Sequence, residues 1–188
     1  MELINKVYNH SGLRRILGTI RIPIGGIFIF LILFYGRLEM YFLAFTISFF
    51  GELIQIWSSG CLDKNEVLTI RGPYCLVRNP MYLGRFLVIL GAVILLRNIY
   101  IIVIYLIAYY YYMLNRVKRE ERRLKDIFGE PYIDYCSKVN RFIPNSIACE
   151  KRDLLFFQFH LLIRNNEHLN FLALLSFYVI FYVFSIIS

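Results

Sequence analysis

"MYLGRFLVILGAVILLRNIYIIVIYLIAYYYYML", residues 81–114, is two apolar runs joined by one polar pair. Met81–Leu96 and Ile99–Leu114 are separated only by Arg97-Asn98, which predicts a tight helical hairpin. A bilayer core about 30 Å thick needs roughly 20 apolar residues per helix, and about 17 to 25 are tolerated. Flanking residues complete the two arms. Working outward, Met40–Trp57 precedes the hairpin, Ile16–Tyr35 (interrupted by Arg21) lies before that, and Leu169–Ile187 follows. The 188-residue chain is 59% hydrophobic and 18% charged, more apolar than a soluble domain of this length. The fold class expected is all-α: an integral membrane protein of about five transmembrane helices. The first run has basic residues before it but no small-residue cleavage site after it, so it reads as a span and not as a signal peptide.

The net charge of +8 is unevenly placed. With the N-terminus inside, four Lys/Arg precede Ile22, four lie between Trp57 and Phe86, and eleven lie between Asn115 and Leu169; only Arg37 and Arg97 fall on outer loops. The positive-inside rule then puts the N-terminus in the cytoplasm and the C-terminus outside. The basic excess faces anionic headgroups, and no separate basic module points to nucleic acid. Cys61, Cys75, Cys136 and Cys149 all fall on the cytoplasmic side and form no CxxC pair, so reduced thiols and no disulfide are expected. His10, His160 and His168 lack metal-ligand spacing, and no metal is expected.

Directly before the hairpin stands "RGPYCLVRNPMYLGR", residues 71–85. Gly72-Pro73 marks a turn. Asn79 suits an N-cap and Pro80 the first helical position. A helix amino end, with its free N–H groups and positive dipole, then faces the cytoplasm and can receive an anionic group. Arg78, Tyr82 and Arg85, spaced by four and three, share its face. The plain alternative is a capped helix with snorkelling arginines.

After the hairpin comes "NRVKREERRLKDIFGEPY", residues 115–132. At 100° per residue, Met113, Val117, Leu124, Ile127 and Phe128 share one side, within about 100° of arc. Glu120 and Glu121 fall on that apolar side, while Lys118, Arg119, Arg122, Arg123, Lys125 and Asp126 lie opposite. Solvation alone would not turn carboxylates inward, and charges at membrane depth are functional suspects. Arg116 borders the same face one turn before Glu120. Gly129 and Pro131 end the helix. "YIDYCSKVNRFIP" keeps Tyr132, Tyr135 and Val139 on one face, as a surface cover. Tyr109–Tyr112 read as an interfacial aromatic belt. Glu52 and Gln55 share a face of the second span, either as a packing hydrogen bond or as pocket lining. The sum is a cytoplasm-facing pocket with one cationic and one anionic wall, suited to a zwitterion.

"GPYCLVRNPMYLG", an apolar hairpin, then "REERRLKDIFGEPYIDYCSKVNRFIP" resembles the isoprenylcysteine carboxyl methyltransferase family, which is itself similar to phosphatidylethanolamine N-methyltransferases. The resemblance covers about residues 51–144, the methyltransferase core of a single membrane domain, 1–188. Residues 145–188 would be an extension with an interfacial segment, 154–163, and the last span. The resemblance implies S-adenosylmethionine as cofactor, held by Val67, Leu68, Thr69, Tyr74, Asn79, Pro80, Met81, Tyr82 and Glu120, with Glu121 assisting. It implies Arg116 for the methyl acceptor, a lipophilic or small molecule, most simply a carboxylate. No residue is assigned as a catalytic acid or base: an ionised carboxylate needs only alignment for an in-line displacement. An amine acceptor would bring in Glu121 or water as proton acceptor. Asn79 stands where the family often has His, and Asn cannot titrate near neutrality. The competing readings are a phospholipid or amine N-methyltransferase, an NADPH-dependent membrane reductase, and a non-enzymatic membrane scaffold.

Overall fold

The computed structural model describes residues 23, 25–64, 66–144 and 149–187, and among them no strand occurs. Helix α1 spans Gly25–Tyr35. A 3-10 turn, Leu38–Met40, leads into α2, Tyr41–Ser59. After a loop and a second 3-10 turn, Gly72–Cys75, come α3, Pro80–Ile94, and α4, Ile99–Phe128. Helices α5, Glu130–Lys138, α6, Lys151–Leu154, α7, Phe159–Arg164, and α8, Glu167–Ile187, complete the order.

Among the described residues three segments are long and apolar enough to cross a bilayer: Leu38–Ser59, Ile99–Phe128 and Glu167–Ile187. Gly25–Tyr35 and Pro80–Ile94 are shorter apolar helices. The 15 residues of α3 reach only about 22 Å, less than the ~30 Å apolar core. The first part of the first expected span, residues 16–22 and 24, lies outside the described residues.

The hairpin forms as expected. Asn98 Oδ1 caps α4 by accepting from Tyr100 N at 3.0 Å and Ile101 N at 3.3 Å. The second arm then runs without a break into the charged stretch as one 30-residue helix. No Gly or Pro interrupts 99–128, and the rod is about 45 Å long, so its last turns project beyond an apolar core.

Small residues bring α2 and α3 together. A Cβ on Gly51 would lie 2.6 Å from Gly84 O, and one on Gly91 would lie 2.4 Å from Ala44 O. Only hydrogen fits at these positions, so the backbones approach closely, as in membrane helix pairs. Ser48 Oγ donates to Val88 O at 2.8 Å and sits 2.7 Å from the Tyr178 hydroxyl of α8, which donates to Ala44 O. Gln55 Nε2 donates to Glu52 Oε2 at 3.0 Å, and both side chains are buried in this crossing. Of the two readings for that pair, packing is the one observed.

The apolar core gathers at the far end of the bundle. Ile32, Ala44, Leu95, Tyr178 and Phe181 meet there, with Tyr41 stacked near Phe45 and Phe181. At the opposite end a second cluster, Tyr132, Tyr135 and Val139, packs on Leu68, Leu124 and Phe128.

The C-terminal part returns across that same end. Gln158 N donates to Gly60 O at 2.8 Å, Cys61 Sγ donates to Phe156 O at 2.9 Å, and Arg71 pairs with Asp153 at 3.2 Å. The segment expected to lie along the interface, 154–163, is here split between the end of α6, a non-helical link and α7. Leu161 and Leu162 are buried while Leu155 and Phe159 are exposed. One expectation is corrected: Cys75 and Cys149 form a disulfide, with Cα atoms 5.3 Å apart. Their separation of 74 residues carries no local signal, and only the return of the chain over the Gly72–Cys75 turn brings them together.

Candidate active site

The amino end of α3 is the floor of a cavity of about 330 Å³, in the range of small-molecule sites. The Gly72–Cys75 turn delivers Tyr74 to it, and α3 begins at Pro80 with Met81 and Tyr82 on the wall. Gly72 has φ +62, a left-handed value favourable to glycine, and a Cβ there would meet Cys61 Sγ at 2.2 Å. Asn79 does occupy the N-cap position, but its side chain makes no capping bond. Its Nδ2 is buried without a partner, and the residue lines the cavity. An orphaned buried amide is costly unless something accepts from it.

Helix α4 supplies the facing wall. Arg116 Nε donates to the Tyr82 hydroxyl at 3.3 Å, and that hydroxyl donates to Glu120 Oε2 at 2.5 Å. Cation, phenol and carboxylate thus form one chain across two helices. Tyr109 Oη, two turns earlier on α4, donates to Tyr82 O at 2.7 Å and fixes the same residue's backbone. Glu120 is solvent-open at the cavity and not enclosed on the helix's inner side, and Ile127, expected inside, is 44% exposed. Helix α5 covers only part of this end of α4, which leaves both residues uncovered. Val117, between the two arginine turns, is fully buried.

The loop after α2 closes one side. Val67, Leu68 and Thr69 line the cavity, together with Leu62, Asp63 and Lys64. Asp63 pairs with Arg164 of α7, which ties this loop to the returning chain.

Helix α5 forms the roof. Tyr135 Oη donates to Tyr74 O at 2.7 Å, and Arg78 N donates to Asn140 O at 2.9 Å. Burial pushes the Tyr74, Tyr132 and Tyr135 hydroxyls well above the usual phenol range. They stay protonated and able to donate.

Ten of the eleven residues expected at the site line this one cavity. Glu121 does not. Arg141 grips it through Nε and Nη2 at 3.0 and 2.5 Å, and Arg78 Nη2 approaches it at 3.6 Å. Its side of α4 faces the segment after α5, one residue's rotation from the cavity. The Glu121 contact also holds the Arg141 guanidinium above the ordinary arginine range, against partial burial. The sequence reading missed Asp63, Lys64 and Arg123 on the wall and had Tyr132 and Tyr135 only as a cover. Their helical spacing was visible, but not the cavity beneath them.

The family described as phospholipid methyltransferase matches residues 13–131. The chain is 34% identical over 82 residues to the protein-S-isoprenylcysteine O-methyltransferase of Saccharomyces cerevisiae, covering 44% of this chain and 34% of that one. It is 34% identical over 97 residues to the Tribolium castaneum protein of the same name, covering 52% and 33%. The Mus musculus protein of that name is 32% identical over 97 residues, covering 52% and 33%. The match thus spans about a third of the length of these curated relatives. No solved structure matches the chain significantly.

Proposed function

Because the chain belongs to the phospholipid methyltransferase family, we propose that it is an S-adenosylmethionine-dependent membrane methyltransferase whose acceptor is a lipophilic carboxylate. The observation that carries this reading is the Arg116–Tyr82–Glu120 chain facing the unpartnered Asn79 amide in one cavity. A ligand with separate cationic and anionic ends suits those groups. Glu120 favours its cationic part. The Asn79 amide and the amino end of α3 favour its carboxylate. Val67, Leu68, Tyr74 and Met81 offer apolar and aromatic contact for a base or thioether. When bound, the cofactor supplies an activated methyl group.

The residues of this chain then position and exclude. Arg116 holds the acceptor's carboxylate next to Tyr82, and the Glu120 contact fixes the phenol between them. Tyr132 and Tyr135 cap the cavity from above and limit water. A carboxylate is already ionised at neutral pH, so no side chain has to take a proton. Alignment alone can be worth about 7 to 11 kcal/mol in favourable cases.

The apolar helices support reading the chain as a multi-pass membrane protein. We assign five spans, with α1 and α3 completed by flanking residues, and the cavity on the basic, cytoplasmic side. A second reading, phospholipid N-methylation, is favoured by the description of the matching family. Incubating membranes that hold the protein with methyl-labelled cofactor separates the readings. Label released as methanol by mild base means an ester, stable label in lipid means N-methylation, and no transfer to either sinks both.

A further inference from the structure

We propose that Arg85 is the second guanidinium of an anion clamp in this cavity. It would act with Arg116 on a carboxylate or phosphate of a membrane-borne acceptor; this rests on the methyl-transfer reading above. Arg85 stands in the second turn of α3, between Gly84 and Phe86, in an otherwise apolar helix. Three residues after Tyr82, it shares that residue's face and lines the same cavity as Arg116. A cation placed this way needs an anionic partner or a wet path. Among the described residues Arg85 has no ion pair, whereas Arg71, Arg78, Arg97, Arg141 and Arg164 all have one.

The acids on the cavity wall are taken. Of the two carboxylates on the cavity wall, Asp63 pairs with Arg164 and Glu120 accepts from Tyr82. Glu52 Oε2 accepts from Gln55 inside the α2–α3 crossing and its Oε1 has no hydrogen-bond partner, but Glu52 does not line the cavity and forms no ion pair with Arg85. The Tyr109 hydroxyl, beside Arg85 on α4, is already donating to Tyr82 O. Arg85 thus lines the cavity from α3 with neither wall carboxylate as its partner, while Arg116 lines it from α4. Two planar guanidiniums lining one cavity suit a bidentate oxyanion, which the methyl-transfer reading alone does not require. The clamp selects an acceptor with an anionic head on an apolar body. A prenylcysteine carboxylate and a phospholipid phosphate share that chemistry.

The test uses the whole chain in dodecyl maltoside micelles with methyl-labelled cofactor. One arm offers N-acetyl-S-farnesylcysteine and the other phosphatidylethanolamine. Arg85→Gln is expected to raise the KM of whichever acceptor is used by about tenfold or more, while cofactor Kd stays within about twofold. Arg85→Lys is expected to recover part of the loss, since it keeps the charge. The unchanged Kd reports that the variant is folded. An acceptor KM in Arg85→Gln equal to that of the unaltered protein would overturn the clamp and leave Arg85 as a snorkelling residue. Equal loss of cofactor affinity in both variants would overturn it as well. Failure of the unaltered protein to bind cofactor would instead sink the reading on which the clamp rests.

Discussion

Tyr82 and Glu120 are 38 residues apart in sequence, and their side chains meet at 2.5 Å across the α3–α4 pair. That contact joins the two motifs flanking the apolar hairpin, and Arg116 completes it from one turn earlier on α4.

Glu120→Gln removes the charge but keeps the shape. Cofactor affinity should fall by about tenfold or more, the range of a hydrogen bond to a charged group. Tyr82→Phe should leave Arg116 and Glu120 unbridged and lower kcat/KM by a similar factor. Calorimetric titration and initial rates read the two effects. Unchanged affinity in Glu120→Gln would count against its cofactor role.

Glu121 is expected to behave differently from its neighbour. It holds Arg141 and approaches Arg78, both outside α4, so it fastens the roof. Glu121→Gln should destabilise the protein by about 1 to 3 kcal/mol, because one side of a half-buried charge pair is lost. It should also speed amide exchange over 130–141. The first effect is read by thermal unfolding and the second by hydrogen–deuterium exchange. An exchange pattern matching that of the unaltered protein refutes the fastening role.

Gly51→Ala tests the α2–α3 crossing. The added Cβ would lie 2.6 Å from a backbone oxygen and 2.7 Å from Val88 N, neither of which can rotate away. Overpacking of this kind costs about 1 to 3 kcal/mol. Gly129→Ala meets no atom within 4 Å but keeps a φ of +60 with ψ −131, so its cost is backbone strain alone, about 1 to 3 kcal/mol. A thermal-shift series should put both variants below the unaltered protein, Gly51→Ala through steric overlap and Gly129→Ala through strain.

Thiol chemistry distinguishes the four cysteines. Without reductant, two thiols should titrate in denaturant, Cys61 and Cys136, and four after reduction. In the folded protein Cys136 should be alkylated first. Burial pushes the Cys61 thiol up to about 11 and keeps it from reagent. Four titrating thiols before reduction would refute the Cys75–Cys149 bond.

Alkaline pH should loosen the roof. Burial raises the Tyr135 hydroxyl above its unfolded value of about 10, so the folded state holds that proton more tightly. Its stabilising contribution is complete below about pH 10 and is lost as pH rises towards the folded value. Tyr135→Phe should flatten the fall in Tm above pH 10. It should also lower stability at neutral pH, since Tyr74 O loses its donor.

The sequence alone determined the helical class, the hairpin and the amino end of α3, while Val67, Leu68, Thr69 and Tyr74 were expected at the site through the family resemblance. The first three are local patterns. Apolar length specifies a helix in lipid, Arg97-Asn98 breaks it, and the Asn79-Pro80 start orients an amino end. The inward side of α4 was legible from its periodicity at Val117, but that periodicity could not say where the neighbouring helix ends, and Ile127 came out exposed. Tertiary structure alone decided between Glu120 and Glu121. Adjacent carboxylates on a helix differ by 100° of rotation, and only the positions of Tyr82 and Arg141 assign one to the cavity and the other to its roof. The same holds for the Cys75–Cys149 bond and for Asp63 beneath Arg164. These pairs are distant in sequence, and nothing local to either partner encodes the path by which the chain returns.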